Sequence, residues 1–308
     1  MIYNNVLEAV GNTPVIRLNS ITPADGAEIL VKYEAVNIGG SVKTRTALNM
    51  IEEAEKSGLI KSDTIIVEPT SGNQGIGIAL VGAVKGYRVK IVMPDSVSEE
   101  RRKLVAAYGA EVILVHDGGD IGKCIDECLS TAMRLKAENP KVYVPQQFVN
   151  PGNNMAHKKY TAAEILSQVN GPIDGFCSGI GTGGTLSGIG EVLKEANPNI
   201  EIWAVEPENA AILSGHKVGT HIQMGIGDGV IPENLNREIY DSICIVTDDE
   251  AVDMSRRLAA LEGLICGISS GSNVSAAVKL SKKLGKGKRV VTLLPDTGER
   301  YFSTRLFD

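Results

Sequence analysis

Strand-like segments alternate with helix-like segments along most of the chain, and this order constrains the fold more than any other feature. Short apolar runs rich in β-branched residues predict buried strands at residues 64–68, 88–93, 111–115, 175–178, 200–205 and 289–294. The segments around and between them predict helices at residues 43–57, 75–84, 99–108, 121–135, 156–169, 248–261 and 273–284. Ser98 is the expected N-cap of the third helix, and Gly109 is expected to end it. Repeated strand–helix order predicts an α/β fold with mostly parallel sheets covered by helices on both faces.

Composition and charge exclude several classes of protein. The 308 residues include 31 Lys or Arg and 37 Asp or Glu, a formal net charge of -6, which disfavours a nucleic-acid partner because such proteins concentrate positive charge. No apolar run approaches the ~20 residues of a membrane span, and the first residues lack the pattern of a secretory signal. The 5 cysteines and 4 histidines show no metal-ligand spacing. We therefore expect a cytoplasmic protein with no membrane partner and no metal site. At ~150 residues per domain, the length suggests about two domains.

The first of two glycine-rich turns, SGIGTGGT at residues 178–185, lies between a predicted strand and a predicted helix. Its backbone N–H groups could converge on a phosphate, where the helix dipole adds positive charge. A tight turn without a ligand is an equally open interpretation. The G-x-G-x-x-G spacing, with Glu206 about twenty residues later, also satisfies a first test for a dinucleotide site, although no pair typical of hydride chemistry lies nearby.

The second turn, EPTSGNQG at residues 68–75, presents hydroxyl and amide side chains and free N–H groups at a helix start, which suits a carboxylate. A protein with both turns should bind a phosphorylated cofactor and an amino or keto acid. Lys43 begins a helix, where the dipole lowers the pKa of an amine and suits it to a Schiff base or to proton transfer. The alternative is a solvated surface lysine.

These segments resemble the cysteine synthase (O-acetylserine sulfhydrylase) and cystathionine β-synthase family of fold-type II pyridoxal 5′-phosphate enzymes. The resemblance covers nearly the whole chain and rests on VGNTP (10–14), GSVK (40–43), PTSGN (69–73), QF (147–148), GTGGT (181–185), VEP (205–207), GIG (225–227), GISSG (267–271) and LPDTGERY (294–301). This ordered set outweighs the dinucleotide interpretation. It implies two open, mostly parallel twisted sheets flanked by helices, with the cofactor between a larger cofactor-binding domain (1–41 plus 149–308) and a smaller, mobile substrate-loop domain (42–148).

The resemblance also implies a role for each site residue. Lys43 would bind the cofactor covalently and serve as general base. The other cofactor contacts would be Asn73, Gly181, Thr182, Gly183, Gly184, Thr185 and Ser269. The substrate carboxylate would be held by Thr70, Ser71, Gly72, Asn73, Gln74 and Gln147. A serine hydroxyl at the ring nitrogen of the cofactor, in place of a carboxylate, weakens the electron sink and favours β-elimination over transamination.

The implied activity is β-elimination and β-replacement on a three-carbon amino acid through an α-aminoacrylate. The main expectation is formation of L-cysteine and acetate from O-acetyl-L-serine and sulfide by a homodimer. A non-catalytic amino-acid-binding module is a further alternative, which the presence of Lys43 disfavours.

Four positions depart from the family pattern: Ile38 replaces Pro, Thr44 replaces Asp, Gln74 replaces Thr, and Asp228 replaces a small residue. A carboxylate at Asp228 that faces the β-carbon of the substrate could act as acid or base. L-cysteine would then be the donor, releasing hydrogen sulfide and giving serine, lanthionine or cystathionine-type products. An aspartate that turns to solvent or bonds to the backbone of a glycine-rich turn is equally open.

Overall fold

Two β-sheets organise the computed structural model, which describes residues 2–119 and 121–308. The strands are β1 (Val15–Arg17), β2 (Glu28–Tyr33), β3 (Ile65–Pro69), β4 (Arg88–Pro94), β5 (Glu111–Val115), β6 (Val142–Tyr143), β7 (Gly175–Gly179), β8 (Glu201–Pro207), β9 (Ser242–Val246) and β10 (Arg289–Leu294). The larger sheet has six strands in the order β1-β2-β10-β7-β8-β9, and the smaller has four in the order β5-β4-β3-β6. Strand β1 pairs antiparallel with β2, and the other pairs are parallel. The predicted α/β class with mostly parallel sheets is confirmed.

Helices flank both sheets. They are α1 (Lys43–Lys56), α2 (Asn73–Lys85), α3 (Glu99–Ala107), α4 (Ile121–Glu138), α5 (Pro151–Ala156), α6 (Ala163–Gln168), α7 (Gly184–Ala196), α8 (Asp248–Glu262) and α9 (Ile268–Leu284). A π-helical turn, His157–Ala162, joins α5 to α6, so the helix predicted at 156–169 is only partly α-helical. Among the described helices, we find none long and apolar enough to cross a membrane.

Alternate residues of the central strands pack against helices on opposite faces. On β2, Ile29 belongs to a buried cluster with α8 and α9, whereas Leu30 belongs to a second cluster with α6 and α7. On β3, Ile66 packs with residues of α1 and α2, and Val67 packs with residues of α4. Burial on both faces is typical of parallel sheets and explains why these strands are nearly continuous apolar runs in the sequence.

The ends of α3 match the sequence prediction only in part. Ser98 occupies the N-cap position as predicted, but its side chain makes no capping hydrogen bond to this helix. The position is therefore confirmed, and the prediction that Ser98 caps the helix is wrong. Gly109 follows the helix with φ +81°, and its N–H donates to the Ala106 carbonyl at 2.9 Å. Glycine reaches this left-handed conformation without strain, which explains why the helix ends there.

All five cysteines are unbridged and buried: Cys124, Cys128, Cys177, Cys244 and Cys266. Burial raises the pKa of each thiol, and for Cys128, Cys177 and Cys266 the value is about 12. These residues therefore serve as small apolar core residues.

The two sheets bring the carboxyl ends of β3 and β7 toward the first residue of α1. Strand β3 leads into residues 70–74 and β7 leads into residues 181–185. Ligands of open parallel sheets bind at this end of the strands. The strands of the smaller sheet all lie between residues 65 and 143. The exact division into 1–41 plus 149–308 and 42–148, and the mobility of the smaller part, stay predictions.

Candidate active site

Lys43 is the first residue of α1, and its partly buried amine faces the predicted phosphate loop. Its Nζ lies 3.4 Å from Thr182 Oγ1. Burial lowers the pKa of Lys43 to about 8, whereas the nearby carboxylates of Asp228 and Glu68 act to raise it. A substantial fraction of this amine is neutral near pH 8, and a neutral amine can attack a carbonyl or accept a proton.

The turn between β7 and α7 forms a cradle that only glycines can build. Gly183 has φ +78°, and a Cβ there would lie 2.8 Å from the backbone nitrogen of Leu235. A Cβ on Gly181 would lie 2.4 Å from the Gly225 carbonyl oxygen, and one on Gly184 would lie 2.2 Å from Asn153 Oδ1. The first N–H groups of α7 have no carbonyl partner within the helix, so they are free to bind a ligand. The helix dipole makes this position favourable for an anion such as a phosphate.

Polar side chains line the cradle. Asn153 Nδ2 donates to Thr182 Oγ1 at 2.8 Å and to the Gln147 carbonyl at 2.9 Å. Thr185 Oγ1 lies 3.2 Å from Nε2 of His157, and burial lowers the pKa of that histidine well below its ordinary value. The other ring nitrogen of His157, Nδ1, lies 3.1 Å from Thr161 Oγ1, so both nitrogens of the neutral imidazole have partners within the protein. The groups suited to donate to a phosphate oxygen are therefore the hydroxyls of Thr182 and Thr185.

The substrate loop, residues 70–74, joins β3 to α2. Thr70 N–H donates to the Val92 carbonyl at 2.9 Å, and Gly72 N–H donates to Thr70 Oγ1 at 3.2 Å. Helix α2 begins at Asn73, two residues before the predicted start, so Asn73 and Gln74 belong to its first turn. Their N–H groups have no carbonyl partner within the helix and suit a carboxylate, and Ser71, in the turn before the helix, is partly buried.

Asn73 connects the substrate loop to the segment after β10. Its Nδ2 donates to Asp296 Oδ2 at 2.8 Å, and its Oδ1 accepts a hydrogen bond from Arg300 Nη1. Tyr301 donates its hydroxyl to the same Asp296 oxygen at 2.8 Å. An amide nitrogen carries two N–H groups, so one remains for the predicted contact with the cofactor.

Gln74 turns its side chain into the core between α1 and α2. It is 1% exposed, and its Oε1 accepts a hydrogen bond from Thr46 Oγ1 at 2.7 Å. The two helices approach closely here, since a Cβ on Gly77 would lie 3.0 Å from the Lys43 carbonyl oxygen. The backbone N–H of Gln74, rather than its side chain, is therefore the group suited to the predicted contact with substrate.

Two further predicted site residues, Gln147 and Ser269, are buried, the latter in the first turn of α9. The N–H of Gln147 donates to Oε1 of Glu68 at 3.1 Å, and the N–H of Gln146 donates to Oε2 at 2.9 Å. The sequence analysis did not assign Glu68 a role. The signal that could have identified it is an acidic residue in an apolar strand, directly before Pro69.

Asp228 lies on the turn of residues 225–229, whose glycines all have positive φ. Its Oδ2 lies 3.4 Å from the position that a Cβ of Gly181 would occupy. Burial raises the pKa of Asp228, whereas Lys43 and His221 act to lower it. His221 holds the turn, because its Nε2 lies 2.9 Å from the Gly227 carbonyl oxygen. The structure thus brings the Asp228 carboxylate close to Lys43 and the cradle.

The cradle can bind a phosphate, and the neutral amine of Lys43 beside it can react with an aldehyde. The class of protein with such a site is an α/β enzyme that joins a phosphorylated aldehyde to a lysine. Comparison with known families agrees: the chain belongs to the pyridoxal-phosphate dependent enzymes, whose sequence profile matches residues 6–296. The cofactor is therefore pyridoxal phosphate, as predicted.

Similar proteins cover almost the whole chain. A cysteine synthase from Staphylococcus aureus (strain Mu50 / ATCC 700699) is 50% identical over 305 residues, which are 99% of this chain and 97% of the relative. The solved structure of a hydrogen sulfide-producing enzyme from Fusobacterium nucleatum is 45% identical, with a TM-score of 0.92, and the match covers 98% of this chain and 100% of that one. An O-acetylserine dependent cystathionine beta-synthase from Helicobacter pylori is 35% identical, with a TM-score of 0.94 and 100% coverage of both chains. The family resemblance and the fold-type II class are confirmed.

The residues present fit the cofactor. The cradle at residues 181–185 would hold its phosphate, Lys43 would hold its aldehyde carbon, and Ser269 would face its ring nitrogen. When bound, the cofactor supplies the electron sink for carbon-acid chemistry. The role of each single residue stays a prediction.

We expect the rate at which the apoprotein takes up pyridoxal phosphate covalently to rise about tenfold from pH 7 to pH 9 and then to level off. Only the neutral amine attacks an aldehyde, and the pKa of Lys43 is about 8 instead of 10.5. The measurement is stopped-flow absorbance near ~410 nm after cofactor is added to apoprotein, with N-acetyl-lysine amide as the ordinary-pKa reference. A rate that keeps rising through pH 10, as for the reference compound, would show that the amine is not perturbed.

Proposed function

We propose that the protein catalyses β-replacement on O-acetyl-L-serine, in which acetate leaves and sulfide adds to give L-cysteine. The observation that carries the proposal is the Lys43 amine, with its lowered pKa, 3.4 Å from Thr182 in the phosphate cradle. The full-length similarity to a cysteine synthase supports this reaction. The family is one of enzymes, so the non-catalytic alternative is set aside.

In the proposed reaction, backbone groups of the site bind the substrate and the Lys43 side chain transfers the proton. First-turn N–H groups of α2 bind the substrate carboxylate and thereby fix the orientation of its α-carbon. Lys43 takes the α-proton, since an amine with a pKa of about 8 can accept and return a proton near neutral pH. Sulfide then forms the new C–S bond at the β-carbon from which acetate has left.

A second reaction of the same class uses L-cysteine as donor, and the position of Asp228 favours it. Its carboxylate lies beside the cradle and close enough to Lys43 for their charges to interact. The C–S bond of cysteine breaks and hydrogen sulfide leaves with a proton. Water or a second thiol then adds to the β-carbon, which gives serine, lanthionine or a cystathionine-type thioether. The similar structure from Fusobacterium nucleatum is that of a hydrogen sulfide-producing enzyme, which supports this candidate.

The two reactions are separated by assaying the holoprotein with O-acetyl-L-serine plus sulfide and, separately, with L-cysteine alone. We expect Asp228→Asn to keep cysteine formation within about threefold and to lower sulfide release from cysteine by about 10²-fold, because it removes one acid–base group. Asp253→Asn, on an exposed position of α8, is the matched control. Equal sulfide release by the native protein and Asp228→Asn would leave Asp228 without a catalytic role. Absence of cysteine formation by native holoprotein would exclude the main proposal.

We further propose that the protein acts as a homodimer in the cytoplasm on small-molecule substrates, an amino acid with sulfide or a thiol. Exposed apolar residues near the N-terminus, among them Ile2 and Val6, support burial against a second copy. Light scattering of the purified protein tests the dimer, and a monomeric mass would refute it.

A further inference from the structure

We propose that Glu68 is a positioning residue for the amino-acid substrate, which acts by fixing the backbone of Gln146 and Gln147. Only the predicted change in KM rests on the proposed function. The structural part is the pair of hydrogen bonds from the N–H groups of Gln146 and Gln147 to the Glu68 carboxylate, here called the clamp, and it can be tested without any turnover.

Glu68 holds two successive N–H groups with one carboxylate. Its side chain is 0% exposed near the end of β3, separated from the substrate loop by Pro69. Oε2 accepts from Gln146 N–H at 2.9 Å and Oε1 accepts from Gln147 N–H at 3.1 Å. Burial raises the pKa of Glu68 to about 7, whereas these two hydrogen bonds act to lower it, so the group is mostly ionised at pH 8. Charge-assisted bonds of this kind are stronger than bonds between neutral groups, so the carboxylate then fixes both amides at once.

The clamp acts on a strained backbone. Gln146 has φ +57°, a left-handed conformation that is unfavourable for a residue with a side chain. Such a conformation persists only where surrounding contacts enforce it. Because the two N–H groups held by Glu68 lie on either side of the Gln146 α-carbon, the carboxylate can supply that enforcement.

The carbonyl group of Gln147 is also fixed by hydrogen bonds. Its carbonyl accepts hydrogen bonds from Asn153 Nδ2 at 2.9 Å and from Asn234 Nδ2 at 2.8 Å, and Asn153 Nδ2 also donates to Thr182. The backbone at Gln147 thus connects the end of β3 to the phosphate cradle. Loss of the hydrogen bonds to Glu68 would let Gln147 shift relative to the substrate loop. A small misplacement of a group that positions substrate can lower the catalytic efficiency by a large factor.

The larger sheet contains a second glutamate in the same arrangement. Glu206 is the penultimate residue of β8, directly before Pro207, and is 3% exposed. It accepts the N–H groups of Leu213 at 2.8 Å and Ser214 at 3.2 Å, and also the Ser214 hydroxyl at 3.0 Å. None of the predicted substrate contacts lies on its loop. Glu206 is therefore a control matched for burial, for sequence context and for the two backbone hydrogen bonds, and it differs by the added bond from the Ser214 hydroxyl.

The experiment compares Glu68→Gln and Glu206→Gln with the native holoprotein. A glutamine keeps one acceptor, while its NH2 group opposes the second N–H, so each variant loses one of the two clamp bonds. We expect Glu68→Gln to speed hydrogen exchange at residues 146–147 at least about tenfold and Glu206→Gln to do so only at residues 213–214. We expect Glu68→Gln alone to raise KM for O-acetyl-L-serine by about 10–100-fold with kcat changed less than about threefold.

A double-variant cycle tests whether Glu68 acts through Gln147. In a Gln147→Ala background, adding Glu68→Gln should change KM by less than about threefold, since the side chain that it positions is gone. Glu68→Asp, shorter by one methylene, is the second variant if Glu68→Gln does not fold, and we expect the same direction of change.

Several results would overturn the proposal. These are faster exchange at residues 146–147 with unchanged KM, a loss of kcat alone, equal KM effects of the two glutamate variants, or additive effects in the double variant. If native protein does not turn over O-acetyl-L-serine, the proposed function fails. The proposal for Glu68 is then decided by exchange rates and by equilibrium binding of L-cysteine, followed through the shift in cofactor absorbance near ~410 nm.

Discussion

Replacing Lys43 with alanine is expected to lower the rate of cysteine formation at least about 10³-fold, the largest effect predicted for any single substitution in this chain. In the proposed mechanism, the substitution removes both the covalent attachment point of the cofactor and the base that takes the α-proton. The cradle at residues 181–185 is unchanged, so Lys43→Ala should still bind pyridoxal phosphate, but without a covalent bond. The measurements are turnover with O-acetyl-L-serine and sulfide, and detection of a borohydride-stable adduct at residue 43 by mass spectrometry.

Lys56→Ala is the control, because Lys56 is an exposed lysine in the last turn of the same helix. It should retain native turnover within about twofold. Native-like turnover by Lys43→Ala would refute the assignment of Lys43, and with it the central part of the proposed function.

The second large effect is expected on stability, from a buried ionic cluster around Arg45. The Arg45 guanidinium donates to Glu34 at 2.9 Å through Nε and Nη2, and to Glu164 at 2.6 and 2.7 Å through Nη1 and Nη2. Lys32 Nζ lies 2.7 Å from the same Glu164 carboxylate. Glu34 has no exposed surface, so removing the arginine leaves a buried carboxylate without its main partner.

We expect Arg45→Met to lower the free energy of unfolding by about 3–5 kcal/mol. Methionine fills much of the volume but supplies none of the hydrogen bonds. Urea denaturation followed by circular dichroism gives the change. Glu53→Gln is the control, since its pairs with Lys56 and Lys159 are solvent-exposed and its loss should change the free energy of unfolding far less. A loss below about 1 kcal/mol for Arg45→Met would show that the cluster contributes little net stability.

The sequence predicted the central strands of both sheets and most helices, because their apolar runs are long and continuous. It did not predict β1, β2, β6 and β9. Strands β1 and β6 have 3 and 2 residues, too few to show a periodic pattern. Strand β2 contains Lys32, a charged residue that fits a core strand because its amine contacts Glu164, the Thr13 carbonyl and Gln168 Oε1.

Helix α9 begins five residues before its predicted start, at Ile268 instead of Asn273. The added residues include serines and Gly271, which are poor helix formers on local propensity. A Cβ on Gly271 would lie 1.9 Å from the Ala251 carbonyl oxygen, so this glycine allows α8 and α9 to pack closely. The contact between α8 and α9 therefore determines where α9 begins, and this contact is not visible in the local sequence.

For the site, the sequence predicted which segments come together but not where each side chain points. Gln74 faces Thr46, and Asn73 is held by Asp296, which lies 223 residues further along the chain. The partners of Glu68 are 78 and 79 residues away. Both are backbone N–H groups, which almost every residue has, so the residue types at these positions do not reveal them. Orientations of this kind follow from the packed structure and not from any motif.

The inaccessible cysteines have a practical consequence for an enzyme of sulfur metabolism. Only a thiolate exchanges with disulfides, and burial both shields all five thiols and raises the pKa of each, so few of them ionise near pH 7. Cystine or polysulfide in the medium should therefore leave the polypeptide unmodified. Assays can then be run without dithiothreitol, which would otherwise compete with sulfide as an added nucleophile.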